Sequence, residues 1–252
     1  MSGDGVVGPY APSRPRANLL MAFLAVNVVV QAAAIASAFM HIDLLYKLMS
    51  YGIIEQLSPA ARAQQHASEA RETLMRVIQL AAFAASAVVF LFWLHRAYKN
   101  LKPLGAEPRR SPGWAVGAFL VPMVNLFLPF LVAQETWRAS DPETVDAKGA
   151  KALNIVVEDS SKSLLVVVWW GLWLLTVINV VVAYRWHAGR QVLNDDTIAS
   201  WLVITLGLLL AVNSAVTMIL VRKMASRQDE RNRRLMELAA PPNSMTPRAG
   251  KG

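Results

Sequence analysis

Five uncharged or nearly uncharged stretches constrain this chain more than any other feature: residues 19–40, 74–94, 114–133, 164–184 and 201–221. Each is long enough, at about 1.5 Å per helical residue, to approach the roughly 30 Å hydrocarbon core of a bilayer. Over such lengths in lipid, only an α-helix or a closed β-barrel keeps every backbone polar group bonded. The runs do not alternate polar and apolar residues, which excludes a barrel. Composition agrees: 55% of residues are hydrophobic and 17% charged, against about 45–50% and 25% in soluble domains. The expected class is therefore all-α, an integral membrane helix bundle. No cysteine is present, which removes disulfides, thiol catalysis and cysteine-ligated metal.

Between the runs the sequence suggests a division into four parts. Residues 1–18, rich in Gly, Pro, Ser and Arg, read as a disordered leader. Residues 19–73 hold the first helix and an outer loop, residues 74–225 a membrane domain, and residues 226–252 a basic cytoplasmic tail. Ser58-Pro59 and Asp141-Pro142-Glu143 are helix starts, a capping side chain followed by proline. The first predicts one helix over 59–94; a helix is also expected to follow the second.

The 114–133 run is the awkward one, because Pro122, Asn125 and Pro129 interrupt it. Each proline removes a backbone donor and bends a helix. Basic residues collect on the cytoplasmic side of membrane proteins. If this run enters and leaves on one side, 19 of the 25 Lys and Arg residues fall inside with both termini. If it spans, the best division is 16 and 9, and the five-charge loop after Leu94 lies on the wrong side. Four spanning helices with a Pro/Asn re-entrant hairpin are therefore favoured over a kinked fifth span. Both termini are then cytoplasmic, and the plasma membrane is the expected location.

Several motifs follow one another around this hairpin. They comprise Trp93, Arg96, Ala97, Asn100 and Leu101, then Ser111 to Gly117 (SPGWAVG). Next come Val121, Pro122, Asn125, Leu126, Phe127 and Pro129, and last Trp137 to Pro142 (WRASDP). In this order they resemble the bacterial membrane family called domain of unknown function 4328. The resemblance implies a multi-pass membrane protein over roughly residues 75–225 and carries no activity, substrate or cofactor. Leu128 stands where many members of that family would have a polar or basic residue, which makes this hairpin more apolar.

Candidate sites are few. The spans hold no Asp, Glu or Lys in their interior, which argues against a proton- or sodium-coupled pump. Amides recur instead at Asn27, Gln31, Gln79, Asn125, Asn179 and Asn213, as interhelical bonds or as the lining of a polar pathway. Asn125 can cap carbonyls freed by the prolines or bind a ligand. With Pro122, Pro129, Trp137, Arg138 and Asp141 it forms the candidate ligand or partner site. Asp141 is expected to be an N-cap, and Arg138 a phosphate-facing anchor or the partner of Asp141. Arg222, Lys223, Arg227 and Arg231 form a basic stretch beside the last span, expected to contact anionic lipid headgroups. No metal site, cofactor or nucleic-acid partner is expected: the four histidines lack metal spacing, and no aromatic platform accompanies the basic residues. Small-residue stretches at 32–38 and 81–87 suit internal packing and a homo-oligomer face equally. No catalytic constellation is visible. A scaffold or regulatory role through cytoplasmic loops leads, ahead of a channel or transporter for ions, small molecules or lipids at residues 121–129.

Overall fold

A computed structural model describes residues 9–50, 58–121, 123–145, 163–188 and 193–239. These residues are all-α: α1 (Arg14–Ser50), α2 (Pro59–Lys99), α3 (Pro112–Gly117), α4 (Leu128–Ala139), α5 (Leu164–Ala188) and α6 (Leu193–Ala239), with short 3-10 turns at Val124–Leu126 and Pro142–Thr144. Four of the helices, α1, α2, α5 and α6, are long and apolar enough to cross a membrane.

Local chemistry explains the elements. Ser58 caps α2, its hydroxyl accepting from the Ala61 amide at 3.2 Å, with Pro59 in the first turn. α5 is rich in valine, a weak helix former in water. In lipid the helix is the only way to satisfy its backbone, so environment overrides propensity. In the third apolar run no single helix forms. α3 and α4 have 6 and 12 residues, about 9 and 18 Å at the usual rise, too short for a core of roughly 30 Å. Pro129 occupies the first turn of α4, where a missing N–H costs no helical bond. The run is therefore broken, as the prolines predict, into two short helices that pack against each other, and neither is long enough to span alone.

Two expectations need correction. α1 begins at Arg14, inside the stretch read as a disordered leader, and residues from Tyr10 onward are held by hydrogen bonds. α1 also continues past its apolar run to Ser50, into the stretch read as outer loop, whereas α2 starts at Pro59, where the helix over 59–94 was expected. Polar residues on the helix surface masked this continuity. The helix expected after Asp141-Pro142-Glu143 and the tail at 240–252 lie outside the described residues, beyond the single turn Pro142–Thr144.

The chain divides into two compact units. The bundle unit comprises Arg16–Phe92 and Leu164–Val221; the polar unit comprises Met1–Pro15, Trp93–Ser163 and Arg222–Gly252. In the bundle unit, Ala38 and Ile42 of α1 pack with Ile204 of α6. Gly207 marks a close approach: a Cβ there would lie 2.9 Å from Ile35 Cγ1. Trp170 and Trp173 stack at 4.7 Å, and Trp169 lies 5.9 Å from Phe90.

A buried chain of amides crosses the bundle unit. Gln79 Nε2 of α2 donates to Gln31 Oε1 of α1 at 2.7 Å, and Gln31 Nε2 donates to Asn27 Oδ1 at 3.0 Å. Asn27 Nδ2 then donates to Ser214 Oγ of α6 at 2.9 Å, whose hydroxyl reaches the Leu210 carbonyl at 2.7 Å. Three of the recurrent amides are thus joined to one another. The carboxamide oxygens of Asn179 and Asn213 are buried and find no hydrogen-bond partner among the described residues.

Candidate functional site

The candidate residues belong to the polar unit, where helix ends and turns leave backbone carbonyls unpaired. Gln228 and Arg231, on the charged extension of α6, take up several of these. Gln228 is fully buried; its Nε2 donates to the Ala97 carbonyl at 2.8 Å and to Ser140 Oγ at 3.2 Å. Its Oε1 accepts from Asn100 Nδ2 and from Ser13 Oγ, each at 3.4 Å. Arg231 is also fully buried. Its Nε donates to the Leu104 carbonyl at 2.9 Å, and its Nη1 to Thr144 Oγ1 at 2.6 Å and to the Asp141 carbonyl. Two adjacent turns of one helix thereby tie together the end of α2, the end of α4 and the N-terminal segment.

That segment is anchored closely. Asn100 Nδ2 donates to the Ala11 carbonyl at 2.8 Å, and Arg96 Nε donates to the same oxygen at 3.3 Å. Tyr10 donates its hydroxyl to Asp229 Oδ1 at 2.5 Å, and Arg14 pairs with the same carboxylate. Burial, reinforced by Asp229, pushes the Tyr10 phenol above its ordinary value, so it remains a donor.

The start of the hairpin is fixed by Glu135 of α4. Its Oε2 accepts from the Tyr98 hydroxyl at 2.9 Å and pairs with Arg110 at 3.3 Å; its Oε1 accepts from the Arg109 amide at 2.7 Å. Ser111 caps α3 by accepting from the Trp114 amide at 3.2 Å. The turn after α2 closes at Gly105, whose φ of 79° suits glycine. There the Ala106 amide reaches back to the Leu101 carbonyl at 3.0 Å.

The expected site residues fall into separate settings. Asp141 is the N-cap it was expected to be, accepting from the Glu143 amide at 3.1 Å. Its ionic partner is Arg227, at 2.8 Å, and Arg227 also lies 4.6 Å above the Trp137 ring. Trp137, Asp141, Arg227 and Arg231 are thus brought together, and Arg138 lies half-buried in the last turn of α4. Pro129 is buried at the other end of α4. Asn125 sits in the 3-10 turn; its backbone N–H donates to the Val121 carbonyl at 2.8 Å, while its side-chain oxygen is buried with no hydrogen-bond partner among the described residues. Pro122 lies outside the described residues. Around the hairpin tip Leu120, Met123 and Phe127 are exposed at 74%, 79% and 71%.

The basic stretch beside the last span also divides. Arg222 and Lys223 are exposed and free to face headgroups. Arg231 is wholly enclosed by protein and cannot, which corrects its assignment to lipid. Arg227 is engaged with Asp141 and Trp137.

Sequence reasoning missed Tyr98, Glu135, Gln228 and the burial of Arg231. A signal existed: Leu220, Met224, Gln228 and Arg231 recur every three or four residues, one face of a helix. All four are buried.

The motifs acquire a reason from this geometry. Trp93, Ala97, Asn100, Leu101 and Leu104 are all buried in the polar unit. They pack into a folded platform. No curated protein and no solved structure matches the chain. The family model for a domain of unknown function, DUF4328, matches residues 57–226, from just before α2 into the extension of α6. The chain, with four membrane-length helices and this motif-built polar unit, belongs to the DUF4328 family.

Proposed function

We propose that this is a multi-pass plasma-membrane protein with a scaffold or regulatory role, acting through the polar unit on the cytoplasmic side. One observation carries the reading. The N-terminal segment, the end of α2, the end of α4 and the extension of α6 are bonded to one another through Gln228, Asn100 and Arg231. Segments so joined lie on one side of a membrane, and it is the side on which the basic residues collect. The amide chain in the bundle unit supports the same reading, since three of its polar side chains are spent on each other.

The surface that would meet a partner includes Lys102, Glu107 and Arg109, all exposed. Arg222 and Lys223 would hold anionic headgroups, each worth about 1 kcal/mol near a charged leaflet. Photo-crosslinking groups placed at Lys102, Glu107 and Arg109 in living cells test the role. A discrete protein adduct that disappears when Arg231→Met unlatches the platform is the expected result. Adducts to lipid alone from all three positions would end the scaffold reading.

A second reading is favoured by the buried side-chain oxygen of Asn125 at the hairpin turn, which has no partner among the described residues. It makes the hairpin a binding site for a solute or lipid in a channel or transporter. Flux in reconstituted vesicles that falls at least tenfold in Asn125→Ala would support it; unchanged flux would remove it.

A further inference from the structure

In the bundle unit, a cluster of polar side chains links α1 to α2 where their apolar runs end. Arg71 of α2 lies at its centre. Its Nε donates to Ser37 Oγ of α1 at 3.0 Å, and its Nη2 donates to Ser68 Oγ at 3.1 Å. A hydroxyl that accepts from a guanidinium passes its own proton onward. Ser37 gives its proton to Glu72 Oε1 at 2.5 Å. For Ser68, His41 Nδ1 of α1 lies 2.9 Å from the hydroxyl oxygen, placed to take its proton. Ser37, Ser68 and Glu72 are all buried, so water does not substitute freely for these partners.

The direction of each bond fixes the state of each acceptor. Arg71 is always a donor. With Arg71 on one lone pair of Ser68, an unprotonated His41 Nδ1 is what gives the hydroxyl proton its acceptor. A proton on His41 Nδ1 turns two donors on one hydroxyl, leaves the hydroxyl proton without its acceptor, and sets imidazolium against guanidinium across a single oxygen atom. Carboxylates also act on His41: Glu72 and Glu69 from α2, and Asp196 from α6. They attract the imidazolium, but none of them replaces the acceptor that Ser68 loses. N-terminal to Ser68, a small apolar contact joins the helices, Ala61 against Leu44 and Leu48.

We propose that His41 is a proton-operated latch: neutral, it fastens the 59–68 stretch of α2 to α1 through Ser68, and protonated, it releases that stretch. A histidine is the side chain whose charge changes near neutral pH. The inference concerns a part of the molecule separate from the platform and is independent of the role proposed for it.

The absence of native cysteine permits a direct test. Spin labels at Met49→Cys and Ala63→Cys, both exposed positions, report the separation of the two stretches in nanodiscs. A control pair at Val29→Cys and Leu208→Cys reports the apolar part of the bundle. Between pH 8 and pH 5 the first pair is expected to pass from one narrow distance to a longer, broader distribution, while the control pair holds. His41→Asn, whose side-chain oxygen takes the place of Nδ1 and still accepts from Ser68, should keep the short distance throughout. His66→Gln, at an exposed histidine on α2, should leave the transition unchanged. Should His41→Asn fail to fold, as the control pair would reveal, Ser68→Ala decides: the long distance at both pH values supports the latch. A flat profile in the parent protein, the same transition retained in His41→Asn, or a transition retained in Ser68→Ala would overturn it.

Discussion

The two units hold themselves together with different chemistry. In the bundle unit the amide links join neutral side chains across helices, from Gln79 through Gln31 and Asn27 to Ser214. In the polar unit they run from side chains to backbone: Gln228 to the Ala97 carbonyl, Arg231 to the Leu104 carbonyl, Asn100 to the Ala11 carbonyl. The contrast has a simple origin. Inside a long helix every carbonyl already has an amide partner, so the side-chain amides here bond one another and Ser214, whose hydroxyl shares the Leu210 carbonyl of its own helix. Where α2 and α4 end, carbonyls are left over, and a long donor from α6 can collect several. A guanidinium suits this best, since it presents five donors in a fixed plane.

This comparison orders the substitutions. The largest effect is expected from Arg231→Ala, which leaves the Leu104 and Asp141 carbonyls and Thr144 without their donor. Leaving a buried acceptor without its donor costs about 1–3 kcal/mol, and Arg231 serves three such acceptors. Protease sensitivity should rise in the 100–145 region while the bundle unit stays resistant. Equal loss in both units would erase the distinction between them. Next comes Gly207→Val, where Ile35 must give way to a new Cβ. Overpacking of this kind costs about 1–3 kcal/mol, and a lowered melting temperature in detergent measures it. Gln31→Leu should be milder, because interhelical amide bonds average about 0.6 kcal/mol and reach about 1.7 at most. If it proved as damaging as Arg231→Ala, the bundle unit would depend on its polar chain as heavily as the polar unit does. The smallest effect belongs to the pair Arg222→Gln and Lys223→Gln. Stability should hold within experimental error, and affinity for anionic vesicles should fall by about 1 kcal/mol per charge removed.

How far the sequence disclosed this architecture depends on the range of the signal. The membrane helices are stated by runs of local composition, and the hairpin by two prolines, so both are readable along the chain. The cap at Ser58 and the cap at Asp141 are equally local. The site was harder to read. Arg231 looks like one of several surface cations until the spacing of Leu220, Met224 and Gln228 is noticed on the same face. Even then nothing in the sequence names the Leu104 carbonyl, which is 127 positions away. The Ser37–Glu72 contact is hidden for the same reason: a charged residue just outside an apolar run looks solvated until its partner helix is known. The true start of α1 was obscured by Pro12 and Pro15, which read as breakers although a proline is accepted in the first turn of a helix.

The central claim is that the chain leaves the hairpin on the side from which it entered. It is tested by labelling intact cells with a membrane-impermeant maleimide after placing single cysteines at Glu143, Glu107 and Ala67, all exposed positions. The account predicts that Ala67→Cys labels at once, while Glu107→Cys and Glu143→Cys stay protected together until the cells are lysed. Labelling of Glu143→Cys from outside, with Glu107→Cys still protected, would contradict it: residues 114–133 would then cross the membrane.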